Sequence, residues 1–174
     1  VVLVWQAIQR RWTRRQIDHS LLNEMITVPV LGLGAPAAQI IFSQSFSVNA
    51  LPLWIAFNLY FLGSVLFVKM LVGATRDASP PPLRSHRGGV NVGYHVTILL
   101  ALIAGVIMPS GRTILLPAIV GFTPVVLRTL FFWWRMEKRS PALRRVGLIE
   151  TGIAMWFSLW VGILASRLSE TGIG

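Results

Sequence analysis

Five ionisable residues stand within or at the mouths of long apolar runs: Glu24, Lys69, His95, Arg128 and Glu150. Two carboxylates, two bases and an imidazole in such places can pair with one another, carry protons, or hold a polar ligand. Isolated charge at mid-bilayer costs roughly 2.5–3.5 kcal/mol on insertion scales and less near the interface. Pairing either carboxylate with Arg128 or Lys69 offsets much of that cost, and the spacing predicts a buried pair between Arg128 and Glu150 or Glu24. Asn91, Tyr94 and His95 are spaced i, i+3, i+4 and share one helix face. The chemistry implied is a polar cluster of Glu24, Lys69, Asn91, Tyr94, His95, Arg128 and Glu150 in which His95 and one carboxylate handle protons or contact a ligand. A second, weaker anion contact is offered by Arg84 and Arg87 in LRSHRGG, through phosphate or an anionic head group.

The plainer readings stand beside these. Glu24, Lys69 and Glu150 lie close enough to a membrane interface to snorkel. Zinc asks for three or four ligands, and His95 has no second histidine nearby on its helix, so no metal site and no cofactor is expected. With no cysteine in the chain, a disulfide, a thiolate metal site and a cysteine nucleophile are excluded within these residues. The aspartate clusters that hold magnesium and a diphosphate in membrane prenyltransferases have no counterpart, because the chain has only Asp18 and Asp77. GLG at 32–34 lacks both the strand and the third glycine of a dinucleotide fingerprint.

The elements that must position these residues follow from where charge is missing. Residues 25–68, 88–111, 113–127 and 151–166 carry no Asp, Glu, Lys or Arg. A hydrocarbon core about 30 Å thick takes roughly 20 apolar residues per helix, so the first run fits two spans and each other run one. The chain as a whole is 54% hydrophobic and 13% charged, with a mean hydropathy of +0.66. The expectation is an all-α, polytopic transmembrane bundle forming one domain over 1–174. Its five complete spans lie near 21–43, 52–72, 90–109, 113–134 and 146–166. VVLVWQAI at the start is already apolar when RRWTRR begins, which reads as the end of a preceding helix whose beginning is missing.

The net charge of +10 does not point to nucleic acid, since the bases fall in short clusters between apolar runs. Segments 10–20, 69–89 and 135–145 hold thirteen of the sixteen Lys and Arg residues. The positive-inside rule makes the basic loops 10–20, 73–89 and 135–145 cytoplasmic, and anionic phospholipid head groups their expected partners. Trp5, Trp12, Trp133 and Trp134 flank them as an aromatic belt. Loop 74–89, with three consecutive prolines, is expected to be extended. Pro29, Pro36, Pro117 and Pro124 are expected to kink or open their helices. Gly93, Thr97, Ala101 and Gly105, and also Ala154, Ser158, Gly162 and Ser166, recur every four residues as packing rows. A protein partner or a second copy is compatible with such rows. On α-helical spacing the Gly93 row is expected to pack while Asn91, Tyr94 and His95 present a polar surface.

GSVLFVK at 63–69, the intramembrane His95 and RRVGLIE at 144–150, with the Asn23–Glu24 pair after a basic loop, resemble the YwiC-like family of bacterial integral membrane proteins. The resemblance implies a multi-pass bacterial inner-membrane protein with further N-terminal spans and no settled activity. By matched position it draws attention to Glu24, Lys69, His95, Gly147 and Glu150. Three function classes follow from the sequence: a transporter or small-molecule binder, a lipid- or isoprenoid-modifying enzyme, and a non-catalytic membrane partner.

Overall fold

The computed structural model describes residues 21–44, 50–76, 81–108, 112–135 and 143–170. They form α1 (Leu21–Gly32), α2 (Gly34–Ser43), α3 (Ala50–Arg76), α4 (Pro81–Ile107), α5 (Arg112–Arg135) and α6 (Leu143–Glu170). Among the described residues there is no strand, and the fold is an all-helical bundle of membrane type. Four stretches are long and apolar enough to cross a membrane: Ala50–Ala74, Gly88–Ile107, Leu115–Arg135 and Arg144–Leu168. The protein is therefore a multi-pass membrane protein. The expected helix end at 1–9, the basic segment 10–20 and Trp5 and Trp12 lie outside the described residues.

The span expected over 21–43 is two helices rather than one, with a shorter apolar stretch over Ile26–Ile41. Its interruption falls at Leu33, inside the Gly32–Leu33–Gly34 triplet. Two glycines weaken helix propensity there by about 1 kcal/mol each, and Pro36 cannot donate back to Gly32.

The expectation of an extended loop over 74–89 is corrected. Residues through Arg76 belong to α3, and α4 begins at Pro81. Pro81 and Pro82 occupy the first turn, where a missing N–H costs nothing and a fixed φ favours the helix. The prolines open a helix here instead of forming a loop.

The chain divides into two units, residues 1–62 and 63–174, the division falling within α3. In the first, α1 packs on the N-terminal half of α3: Trp54 Nε1 donates to the Pro29 carbonyl at 3.0 Å, and Asn58 lies against Gly32.

In the second unit α4, α5 and α6 pack in succession, joined by the C-terminal half of α3. α5 and α6 are antiparallel, since Gly121 faces Trp160, Phe122 faces Phe157 at 5.2 Å, and Arg128 meets Glu150. At the end where α3 finishes and α6 begins, Phe67, Leu71, Ala74, Phe132 and Val146 form a buried cluster, with Met70 and Trp133 packed on it. Phe67 and Phe132 meet edge to face at 5.5 Å.

Pro117 and Pro124 lie inside a continuous α5. Pro124 has no N–H for the carbonyl of Val120, four residues before it. Trp156 of α6 supplies the replacement, its Nε1 donating to the Val120 carbonyl at 3.0 Å. In lipid no water would do so, which is why a proline of this kind needs a neighbour.

Candidate functional site: a buried polar layer

Asn91, His95, Arg128 and Thr129 are the buried polar residues among those described. Asn91 and His95 lie in the apolar stretch Gly88–Ile107 of α4, and Arg128 and Thr129 in the stretch Leu115–Arg135 of α5. Arg128 lies seven residues before Arg135, and His95 seven after Gly88, about 10 Å inside their spans at 1.5 Å per residue.

The Arg128 guanidinium pairs with both carboxylate oxygens of Glu150. Only 2% of the Arg128 side chain is exposed, against 20% for Glu150. The guanidinium also lies over the Phe67 ring, 3.9 Å from its centre, an attraction that strengthens where water is excluded. Arg128 is thus held by a carboxylate from α6 and an aromatic face from α3. Thr129 beside it donates to the carbonyl of Val125 at 2.9 Å and leaves no hydroxyl proton unsatisfied.

His95 Nδ1 lies 2.8 Å from the carbonyl oxygen of Asn91, one turn back on α4. A carbonyl only accepts, so Nδ1 carries a proton and, in the neutral ring, Nε2 is a bare acceptor. That nitrogen is buried without a hydrogen-bond partner among the described residues, as are Asn91 Oδ1 and Ser64 Oγ. Gly63 admits the ring: a Cβ there would come within 2.8 Å of His95 Nε2 and 3.3 Å of Tyr94 Cε1. Tyr94 stands edge to face with His95 at 5.3 Å. Asn91 Nδ2 donates to the Met70 sulfur at 3.4 Å, tying α4 to α3.

The structure therefore brings Asn91, Tyr94, His95, Arg128 and Glu150 into one unit, with Gly63, Phe67 and Met70 behind them. Of the two partners foreseen for Arg128, it takes Glu150. Lys69 is half-buried on α3, two residues and roughly 200° round the helix from Phe67. Glu24 lies in α1, in the other unit, and its side chain is outside the described residues, as are those of Arg84 and Arg87 in the first turns of α4. Gly147 is exposed, with nothing within 4 Å of a Cβ placed on it. Among the described residues no group of three His, Cys, Asp or Glu side chains could hold a metal ion.

One expectation about α4 is reversed. The face with Asn91 and His95 is the packed one, at 3% and 2% exposure, while Gly93, Thr97 and Ala101 are exposed; of that row Gly105 does pack, against Leu115 of α5. A polar group buried by packing is tolerated when its own helix satisfies part of it, as the Asn91 carbonyl does for His95. Of the α6 row, Ser158, Gly162 and Ser166 are exposed too. Sequence reasoning passed over Gly63, Ser64, Phe67 and Thr129. Three of them sit in GSVLFVK, at a spacing that places Gly63 and Phe67 on one helix face.

Chemically the layer offers a fixed cation, a carboxylate with one edge reachable, and a neutral imidazole whose free nitrogen can accept a proton or a hydrogen bond. Comparison of the chain with family models, with curated proteins and with solved structures gives no match.

Proposed function

We propose that this is a multi-pass protein of a bacterial cytoplasmic membrane that binds or moves a small polar molecule at the layer formed by Asn91, His95, Arg128 and Glu150. The basic segments 10–20, 73–89 and 135–145 face the cytoplasm in this reading, and anionic lipid head groups bind them. The membership proposed is the YwiC-like family. In its support, the stretches that carry the resemblance contribute Phe67 and Glu150, which both contact Arg128, and Gly63, which lies against His95.

The observation that carries the reading is the unequal burial of the ion pair. Replacing such a pair by apolar residues is often neutral or stabilising, so its retention calls for a use. Arg128 is sealed, while Glu150 keeps a fifth of its side chain exposed. A solute reaching the carboxylate edge meets a prearranged charge and, beyond it, the unsatisfied acceptor of His95.

The test uses the absence of cysteine. Single cysteines at Glu150 and His95 in inverted membrane vesicles are exposed to a membrane-impermeant maleimide, with Arg144→Cys as the exposed control. Rapid labelling at position 150, slowed by a candidate solute, supports a cytoplasmic entry. Protection at both positions with a labelled control counts against it.

A second reading, a non-catalytic membrane partner, is favoured by one observation: Gly93, Thr97 and Ala101 form an exposed small-residue row on α4. Such rows let helix backbones approach closely. A stable complex that co-purifies and is lost on Gly93→Leu supports that reading.

A further inference from the structure

The Arg128–Glu150 pair has the form of an anion site filled by the chain's own carboxylate. Both oxygens of Glu150 accept from Nη1 of Arg128, whose guanidinium rests on the Phe67 ring. Arg128 is sealed, whereas a fifth of the Glu150 side chain reaches the exterior. The exposed part of the pair is thus the carboxylate, and a ligand for the guanidinium arrives by taking its place. The space such a ligand needs is the space that the carboxylate now fills.

Beside it there is room for Glu150 to turn away. Side chains lean toward the N-terminus of their helix, and residues three and four apart are neighbours on its surface. Three positions before Glu150 stands Gly147, which is exposed and has nothing within 4 Å of a Cβ placed on it. No close packing calls for glycine there. A released Glu150 side chain can lie over this turn, toward the start of α6, where Arg144 and Arg145 are exposed.

Charge decides what replaces it. A guanidinium stays protonated in proteins, and buried without a counter-charge it is strongly destabilising. Arg128 is the charged group that faces Glu150 from α5. From α3 it is Phe67 that reaches the pair, with Lys69 about 200° round that helix from it; from α4, His95 lies on Gly63. Glu150 leaving as a carboxylate would carry its own unpaired charge, and leaving as a neutral acid it carries none. The neutral exchange therefore takes one monoanion and one proton from the medium. The contacts between Arg128 and Glu150 break, the proton goes to the Glu150 carboxylate, and the incoming anion pairs with Arg128. A dianion would leave one negative charge over. Guanidinium matches a planar carboxylate, and a carboxylate is what the position already holds.

We propose that the layer binds a small monocarboxylate at Arg128 together with a proton on Glu150, which is the built-in competitor for the site. The assignment rests on the reading of the layer as a solute site and names the class of that solute.

The experiment follows unfolding of the full 174-residue chain in nanodiscs, in sodium acetate against sodium chloride at equal ionic strength, with acetamide as the uncharged isostere. Acetate is expected to raise the midpoint and acetamide to leave it unchanged. The apparent acetate affinity should rise by up to about tenfold per unit as pH falls from about 8 to about 6, because one proton is taken up with each anion. Acetate itself stays ionised over that range. Glu150→Gln removes the tethered competitor, so acetate should bind at least about tenfold tighter at about pH 8, with no dependence on pH. Arg128→Gln should abolish the acetate effect. In the parent, independently of any variant, weakly buffered nanodiscs should take up about one proton per acetate bound. Equal midpoints in acetate and chloride for the parent at about pH 6 overturn the proposal, and so does a pH dependence that survives in Glu150→Gln. Maleimide labelling of a cysteine at position 150 with no acetate effect leaves the solute site standing and overturns the anion. Protection of that cysteine removes the solute site on which the anion rests.

Discussion

Removing one member of the Arg128–Glu150 pair should cost far more than removing both. Glu150→Gln leaves the Arg128 guanidinium with 2% of its side chain exposed and no counter-charge from α6. Breaking a buried pair by taking one partner costs about 3–5 kcal/mol. The Phe67 face retains on the order of 1–2 kcal/mol of cation–π attraction but neutralises nothing. The unfolded reference is a helix still in the bilayer, where an arginine about 10 Å from its span end snorkels to the interface. That escape strengthens the drive to unfold, so a loss of about 3 kcal/mol is expected, roughly a hundredfold in the folding constant. Arg128→Gln strands a carboxylate that is 20% exposed, and should cost less, about 1–2 kcal/mol. The double variant should fall within about 1 kcal/mol of the parent. Reversible unfolding of the four proteins in mixed micelles gives the coupling energy directly. Additive single losses would refute the reasoning, because they would mean that the two charges do not compensate one another.

Three further perturbations test the packing around the layer and between the helices. Gly63→Ala places a methyl 2.8 Å from His95 Nε2, and the ring is held by the Asn91 carbonyl, so overpacking of about 1–3 kcal/mol is expected; histidine ¹⁵N resonances should shift while those of a Gly73→Ala control do not. Trp156→Phe deprives the Val120 carbonyl of its donor and should cost about 0.6–1.7 kcal/mol. In a Pro124→Ala background, where the backbone N–H returns, that cost should shrink toward zero, as unfolding midpoints of the double-mutant cycle would reveal. Gly121→Ala meets Trp160 Cβ at 3.1 Å and should lower stability, whereas Gly162→Ala meets nothing within 4 Å and should be neutral or mildly stabilising in the same assay.

The spans were legible in the sequence because bilayer thickness acts on length and charge, and both are printed in the chain. α5 and α6 each contain one charge-poor run, α4 takes most of the run 88–111, and the run 25–68 covers most of α1, all of α2 and the larger part of α3. The polar layer was legible in part: Arg128 is so deep in an apolar run that it had to find a carboxylate, and Glu150 is seven residues into α6 as Arg128 is seven from the end of α5. Which face of α4 turned inward was not legible. Small residues at i, i+4 and polar residues at i, i+3, i+4 are both compatible with packing, and their order of preference depends on the neighbours. Phe67 and Gly63 decide it, one by covering Arg128 and the other by making room for His95. The helical start at Pro81 was misread for a similar reason. Proline forbids a helix interior and favours its first turn, and only the position of the boundary separates the two.

Prolines in α5 and in the α1–α2 segment meet different fates, and the difference explains why one helix stays whole. At Pro124 the released carbonyl of Val120 finds an indole N–H on the next helix, so α5 continues through it. At Pro36 the carbonyl of Gly32 loses its helical donor in the same way, and the Asn58 carboxamide packed on Gly32 spends its own donor on the Trp54 carbonyl. Trp54 mends only the neighbouring carbonyl of Pro29. Replacing Asn58 with a residue whose donor reached Gly32 would satisfy the break from within, and the α1–α2 segment would then have the same reason to run on that α5 has.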